Sequence, residues 1–356
     1  MNLLKNTFIL SILFVFQNAF GYICVNATSN YKMFGSVLRS EVLKNPFIMA
    51  FQGEHFKNYK IFYADNDTQL VDQIQNMTKG QCSVVLGLFT SQDCLVSGPI
   101  LKKNKTIGLS SSCSDNHIDN FFPYIYTAVP KLSNFSKTVA KYLNKKNHDA
   151  IYAFYQPSDV YSDSGFNAFK KYVKKPVTSI PVSSSGSFDL KLLHMNTKSE
   201  STIVFFTYPL PSAQILVNLD YKHTITNKIN IIGASSWIFD VSVFRPIKSI
   251  LMKAKDVLTP SLVDQQRIDS SNFSHNFIKL YKREPDVVEV LTYDMAHLAV
   301  ECYRTTASND AYNNQSFLKC IRNNKYDGVS GYTQFQKNSP FSVRKIYLIN
   351  FMNRIQ

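Results

Sequence analysis

The chain has 356 residues, 45% of them hydrophobic and 18% charged, with a formal charge of +14. That balance excludes a disordered or fibrous chain and leaves room for two hydrophobic cores. Its basic residues fall in scattered pairs such as Lys102-Lys103 and Lys145-Lys146, not in one stripe beside aromatic platforms, so no nucleic-acid partner is expected.

In chain order, residues 1–21 read as an export signal. Lys5 gives the positive end, residues 8–16 form an apolar run, and Ala19-Phe20-Gly21 fits a small-x-small cleavage site. The run is too short to span a bilayer. Cys24 follows Tyr22-Ile23 and not small residues, which argues against a lipid-modified start. A periplasmic or otherwise extracytoplasmic protein is the expectation. Strands are predicted at 22–25, 60–63, 83–86, 106–109 and 124–126. The helix over 66–77 puts Leu70, Ile74 and Met77 on one face.

Residues 83–114 carry a binding signature. A buried strand ends at a glycine turn, Gly87, and the hydroxyls of Thr90 and Ser91 open a helix. A second short strand then ends in Ser110, Ser111, Ser112 and Ser114. Ligands of open α/β sheets bind outside such strand ends. A helix start adds unpaired N–H groups and a positive dipole, which favour a carboxylate or another anion.

After Pro130 the alternation restarts, with helices predicted at 133–143, 164–173 and 212–219 and strands at 150–155, 202–206 and 230–232. A helical series then covers residues 270–324, followed by a turn with an edge-strand pattern at 327–335 and a last strand at 344–350. Alternation of this kind predicts mainly parallel sheets. Two series with separate cores predict two lobes, 22–130 plus 259–334 and 131–258 plus 335–356.

Six cysteines in an oxidising compartment predict disulfides, with 15 pairings possible. Cys24 and Cys82 begin strands expected to be neighbours, Cys94 and Cys113 sit in adjacent loops, and Cys302 and Cys320 lie on consecutive helical segments. The nearest-neighbour scheme is therefore expected. The C-x-x-C spacing of a metal or redox site is missing, so neither a metal nor another cofactor is predicted. The histidines lack paired spacing, and the sequence has no G-x-S-x-G elbow, P-loop or G-x-G-x-x-G. An enzyme is not expected; a cryptic hydrolase is the least favoured alternative.

These segments, in this order, resemble the type I periplasmic substrate-binding proteins of ABC transporters, in the branched-chain amino-acid-binding branch. The resemblance rests on Asp65-Asn66-Asp67, Gly87-Leu88-Phe89-Thr90-Ser91, residues 107–114, Tyr126-Thr127-Ala128-Val129-Pro130, Tyr161 to Gly165, and Asp327-Gly328-Val329-Ser330-Gly331 with Phe335. It implies two Rossmann-like lobes with parallel sheets, joined by a three-crossover hinge and closing on a ligand. Ser91 matches a family serine that hydrogen-bonds a ligand carboxylate. Ser112 and Ser114 match positions that hold carboxylate and amine, and Thr90 stands beside them. Tyr161 matches an aromatic residue that covers the ligand from the second lobe, and Tyr208 falls one residue from the next such position. Asp294, in Thr292-Tyr293-Asp294, resembles the aspartate of a tyrosine-aspartate pair in the family's lobe-one helix, which implies a structural role such as holding the hinge.

One departure bears on the ligand. The family's second-lobe acid, which pairs with the ligand ammonium, should closely follow Gly233, but Ser235 stands there. A buried ammonium without a counter-charge is costly, so an α-amino acid would need Asp163 or Asp240 in its place. Trp237 can instead stack on a flat ligand. The resemblance implies a monomer that binds a small, carboxylate-bearing, amino-acid-like molecule and docks on a membrane ABC permease, or alternatively a sensor partnered with a membrane protein.

Overall fold

A computed structural model of the protein describes residues 21–28, 30–31, 38–64, 67–193, 199–307 and 313–355. The expected export signal, Gly21 apart, and the Asp65-Asn66 pair lie outside the described residues. The first sheet is built from β1 (Tyr22–Thr28), β2 (Tyr59–Ala64), β3 (Cys82–Leu88), β4 (Ile107–Ser110) and β5 (Ile125–Thr127). Between them run α1 (Ser40–Gly53), α2 (Asp67–Lys79) and α3 (Ser91–Asn104). All neighbours are parallel, in the order β2-β1-β3-β4-β5. The central strands are almost wholly buried, as a parallel sheet covered on both faces requires.

The second sheet follows α4 (Leu132–Asn144) and contains β6 (Ala150–Tyr155), β7 (Thr178–Pro181), β8 (Ser201–Phe205), β9 (Ile229–Ile232) and β10 (Asp256–Ser261). Its crossovers include α5 (Val160–Tyr172) and α6 (Pro209–Tyr221). The chain continues through α7 (Asn272–Tyr281), α8 (Val287–Ala307) and α9 (Asn314–Asn323), then a hairpin of β11 (Lys325–Gly328) and β12 (Gly331–Gln334). It ends with β13 (Tyr347–Asn350), antiparallel to β10, so the second sheet is parallel except at this edge. Its order is β13-β10-β9-β8-β6-β7. In each sheet the first strand lies between the second and the third. Each lobe therefore has a switch point where strand order reverses, β1/β3 in one and β6/β8 in the other.

Helix α8 packs against α1, so the third series completes the first lobe. The chain crosses between lobes three times, and two crossings are tied together: Thr127 N donates to Pro340 O at 2.8 Å and Ser342 N to Thr127 O at 3.1 Å. Two lobe boundaries fall later than the sequence places them. Residues 259–261 still pair with β13, so the second crossing follows Ser261. Phe335 stacks edge-on against Tyr126 of the first lobe at 5.1 Å, and Ser342 is still bonded to Thr127, so the third crossing follows Ser342 and not residue 334.

Three disulfides form, Cys24–Cys82, Cys94–Cys113 and Cys302–Cys320, as the nearest-neighbour scheme expects. Three elements are absent from the sequence reading, and each contains a proline that argues against it: α1 with Pro46, β7 with Pro181 and β10 with Pro260. Pro260 lies beyond the stretch of β10 that pairs with β9. Among the described residues no helix is long and apolar enough to cross a membrane.

Candidate functional site in the cleft between the lobes

The first lobe brings two chain segments together at the β1/β3 switch point. Gly87, at φ +88°, makes a bulge near the end of β3, and an added Cβ would stand 2.0 Å from Asn26 O on β1. Asn26 Nδ2 in turn donates to Gly87 O at 3.0 Å. The bulge aims the chain into α3. Thr90 is the N-cap: its Oγ1 accepts from Asp93 N at 3.1 Å, while the Asp93 carboxylate accepts from Thr90 N and Phe89 N at 2.9 and 3.0 Å. This capping box uses three donors at the helix start.

Ser91 performs a different task. Its Oγ accepts from Ser114 N at 3.2 Å and Asp115 N at 3.1 Å, tying the loop after β4 to the start of α3. A hydroxyl that accepts twice keeps its hydrogen as a donor. The loop is held further by Ser110 Oγ, which donates to Leu88 O at 2.6 Å and accepts from Cys113 N at 2.9 Å. The Cys94–Cys113 bridge fastens the same two segments covalently. Ser112 Oγ donates to Phe89 O, so its one hydrogen is committed to the loop. Ser114 is buried, and its carbonyl accepts from Leu132 N at 2.7 Å. Thr90 and Ser112, expected to hold ligand, therefore shape the loop in this structure, while Ser91 both shapes it and retains a donor.

The second lobe presents Asp159, Tyr161 and Tyr208 from the β6/β8 switch point. Helix α5 begins a turn earlier than the sequence reading, because Asp159 caps it by accepting from Ser162 N at 2.7 Å. Tyr161 thus lies in the first turn of the helix instead of in a loop. Its OH and Ser235 Oγ are 2.9 Å apart, and it accepts from Ser236 N at 3.2 Å. Tyr208 is the N-cap residue of α6, and its ring stacks on Tyr161 with centroids 5.0 Å apart. Both rings are buried, and α3 packs against α5 across the junction of the lobes.

Trp237 is a correction. It is fully buried among Phe205, Phe244 and Phe351, and its Nε1 donates to Ser212 Oγ at 3.0 Å. The ring belongs to the core of the second lobe because Gly233 leaves it room; a Cβ there would be 2.3 Å from the indole. The two acids named as substitutes for the missing charge also lie elsewhere. Asp163 accepts from Asn167 Nδ2 at 2.8 Å and lines a rim groove of about 480 Å³ with His117 and Lys131. Asp240 accepts from Ser242 Oγ and faces Arg283, Asp286 and Glu289.

Two buried acids at the junction of the lobes are absent from the sequence reading. Asp115 is wholly buried, and its Oδ1 accepts from His117 N at 2.8 Å. Asp159 is buried opposite. Burial raises the Asp159 pKa, amide bonds from Ser162 and Tyr161 oppose the rise, and the Asp115 charge adds to it. Burial likewise pushes the Tyr208 phenol well above its ordinary value, and Asp159, Tyr161, Asp93 and Asp115 add to the shift. Charges of the first lobe thus act on groups of the second. The sequence signal for these two acids was their capping role, Asp115 before a 3₁₀ turn and Asp159 three residues before Ser162. Among the described residues no group of His, Cys, Asp and Glu is placed to hold a metal ion.

Residues 54–346 match the family described as the receptor family ligand binding region. No curated protein matches the sequence. Among solved structures, a branched-chain amino-acid transporter substrate-binding protein from Streptococcus pneumoniae, in complex with isoleucine, is similar with a TM-score of 0.74 and 15% identity over 92% of this chain and 96% of that one. A leucine-binding protein from Thermotoga maritima gives 0.75 and 14%, over 92% and 94%. A solute-binding protein of an ABC transporter from Rhodopseudomonas palustris, in complex with 3,4-dihydroxybenzoic acid, gives 0.72 and 15%, over 92% and 93%.

Proposed function

The chain belongs to the receptor family ligand binding region, and from that premise we propose that it is an extracytoplasmic solute-binding protein that closes two lobes on a small, carboxylate-bearing, amino-acid-like molecule and delivers it to a membrane ABC permease. The observation that carries this reading is the packing of α3 against α5, which brings the element that begins at Ser91 beside the one that carries Tyr161, the partner of Tyr208. In this reading the two sheets, of the same strand order, offer their switch points to one molecule held between the lobes. Two of the solved structures similar to this chain are complexes with isoleucine and with 3,4-dihydroxybenzoic acid, which agrees with a carboxylate as the shared group.

In this reading the start of α3 and the Ser91 hydroxyl take the carboxylate, and the stacked tyrosines cover the ligand while water is excluded, which strengthens each polar contact. The work is binding, with no bond made or broken. Thermal-shift screening of the purified mature protein against amino acids, amides, short carboxylates and aromatic acids tests it. A true ligand stabilises by about 2.7 kcal/mol at a hundredfold excess over its dissociation constant. Ser91→Ala should then weaken a carboxylate hit by about tenfold or more. If no compound in the panel raises the melting temperature, the reading is wrong.

A further inference from the structure

The second lobe offers no charge to a ligand ammonium at the expected place. Ser235 stands there, and its hydroxyl is engaged with the Tyr161 OH at 2.9 Å. We propose that the counter-charge has moved to the first lobe, where Asp115 Oδ2 receives the ammonium of the solute opposite Asp159, so that the ligand is an amine-bearing acid and not a plain carboxylate. This rests on the solute-binding reading above.

Four observations support it. Asp115 is 0% exposed, and while Oδ1 accepts from His117 N, Oδ2 is buried and accepts no hydrogen bond. A buried carboxylate oxygen left in that state is costly, so its place in the structure calls for a donor. Asp115 also sits beside the start of α3: its amide is held by Ser91 Oγ at 3.1 Å, and its charge acts on Asp159 and Tyr208 of the other lobe. The adjacency of Ser91 and Asp115 suits a molecule whose carboxylate and ammonium are one carbon apart.

The electrostatics agree. Among the described residues neither Asp115 nor Asp159 forms an ion pair with lysine or arginine; the one basic group beside Asp115 is His117, whose side chain is 68% exposed. Lys131 is bound instead to Asp119. The Asp115 charge acts unfavourably on Asp159 of the other lobe, and a cation beside them relieves like-charge repulsion. The acids are not placed to hold a metal ion, whereas an ammonium with three donors needs no fixed coordination shell. A benzoate-type ligand would leave Oδ2 unpaired and bring a further negative charge to it.

Isothermal calorimetry on the purified mature protein distinguishes the outcomes, using L-amino acids, the deaminated acid of each binder (4-methylpentanoate for leucine) and 4-hydroxybenzoate. Wild-type protein should bind at least one amino acid about tenfold or more tightly than its deaminated acid and than 4-hydroxybenzoate, and Asp115→Asn should weaken that amino acid by a similar factor. Asparagine caps as well as aspartate and removes a charge that opposes Asp159, so the ligand-free melting temperature of the variant should be no lower than wild type. Asp115→Glu, which keeps the charge, should retain more affinity than Asp115→Asn. Equal binding of an amino acid and its deaminated acid, or an amino-acid affinity untouched by Asp115→Asn, overturns the ammonium assignment and leaves the solute-binding reading standing. If no probe binds the wild-type protein, both fall.

Discussion

Single residues here act mainly by making room or by being consumed. Gly87 makes room: its left-handed backbone and the 2.0 Å approach of Asn26 O leave no space for a side chain. A methyl group there would force β1 and β3 apart at the switch point. Gly87→Ala is therefore expected to destabilise by about 3 kcal/mol, combining the left-handed penalty with displaced backbone. Urea unfolding checks this, and a midpoint unchanged from wild type would show that the bulge relaxes freely. Gly328 is similar, since its missing side chain lets the Asp294 carboxylate accept from Val329 N at 2.8 Å and Ser330 N at 2.7 Å. That contact makes Asp294 a fastener of the turn that precedes the third crossing. Thr90 and Ser112 show the other case: both lie where a ligand contact was expected, yet a capping box and a carbonyl already claim them.

At the scale of elements, the Cys94–Cys113 bridge joins α3 to the loop after β4, two segments already held by Ser91. Closing a loop of 19 residues' separation is worth about 3 kcal/mol by chain entropy. Cys94→Ser with Cys113→Ser should lower stability by about that amount. It should also weaken ligand binding, because the Ser110 to Asp115 loop loses its anchor. A double variant with wild-type affinity would mean that the hydrogen bonds alone position the loop. The pairing itself was legible from sequence because each pair lies on neighbouring elements, and the alternation of strand and helix gave both sheets. What escaped reading had local causes. Pro46, Pro181 and Pro260 masked an element each, and the aspartate cap moved the start of α5 ahead of Tyr161. Trp237 was misread because burial depends on Gly233 and on distant phenylalanines that no local pattern reveals. Asp115 and Asp159 escape it for the same reason: one sequence cannot show that the caps of two separate helical turns act on each other across the lobes.

At the scale of the whole molecule, folding places like charges from separate lobes together, and stability should record it. Asp159 has its pKa raised by burial, with the Asp115 charge of the other lobe adding to the rise. Below the ordinary carboxylate value near 3.8 the residue is protonated in both folded and unfolded chains and contributes nothing. As pH rises above that value the unfolded chain releases its proton first, so stability falls until the folded group also ionises, and the deficit then stays constant. Asp159→Asn removes the titration while keeping the cap on Ser162 N. Urea unfolding of the ligand-free proteins between about pH 3 and pH 8 should therefore show the variant equal to wild type at the acid end and more stable at the neutral end. The difference should shrink in Asp115→Asn protein, since one of the opposing charges is already gone. A gap that stays flat with pH, or a variant less stable at neutral pH, would mean that the two lobes do not hold these acids in one low-dielectric site.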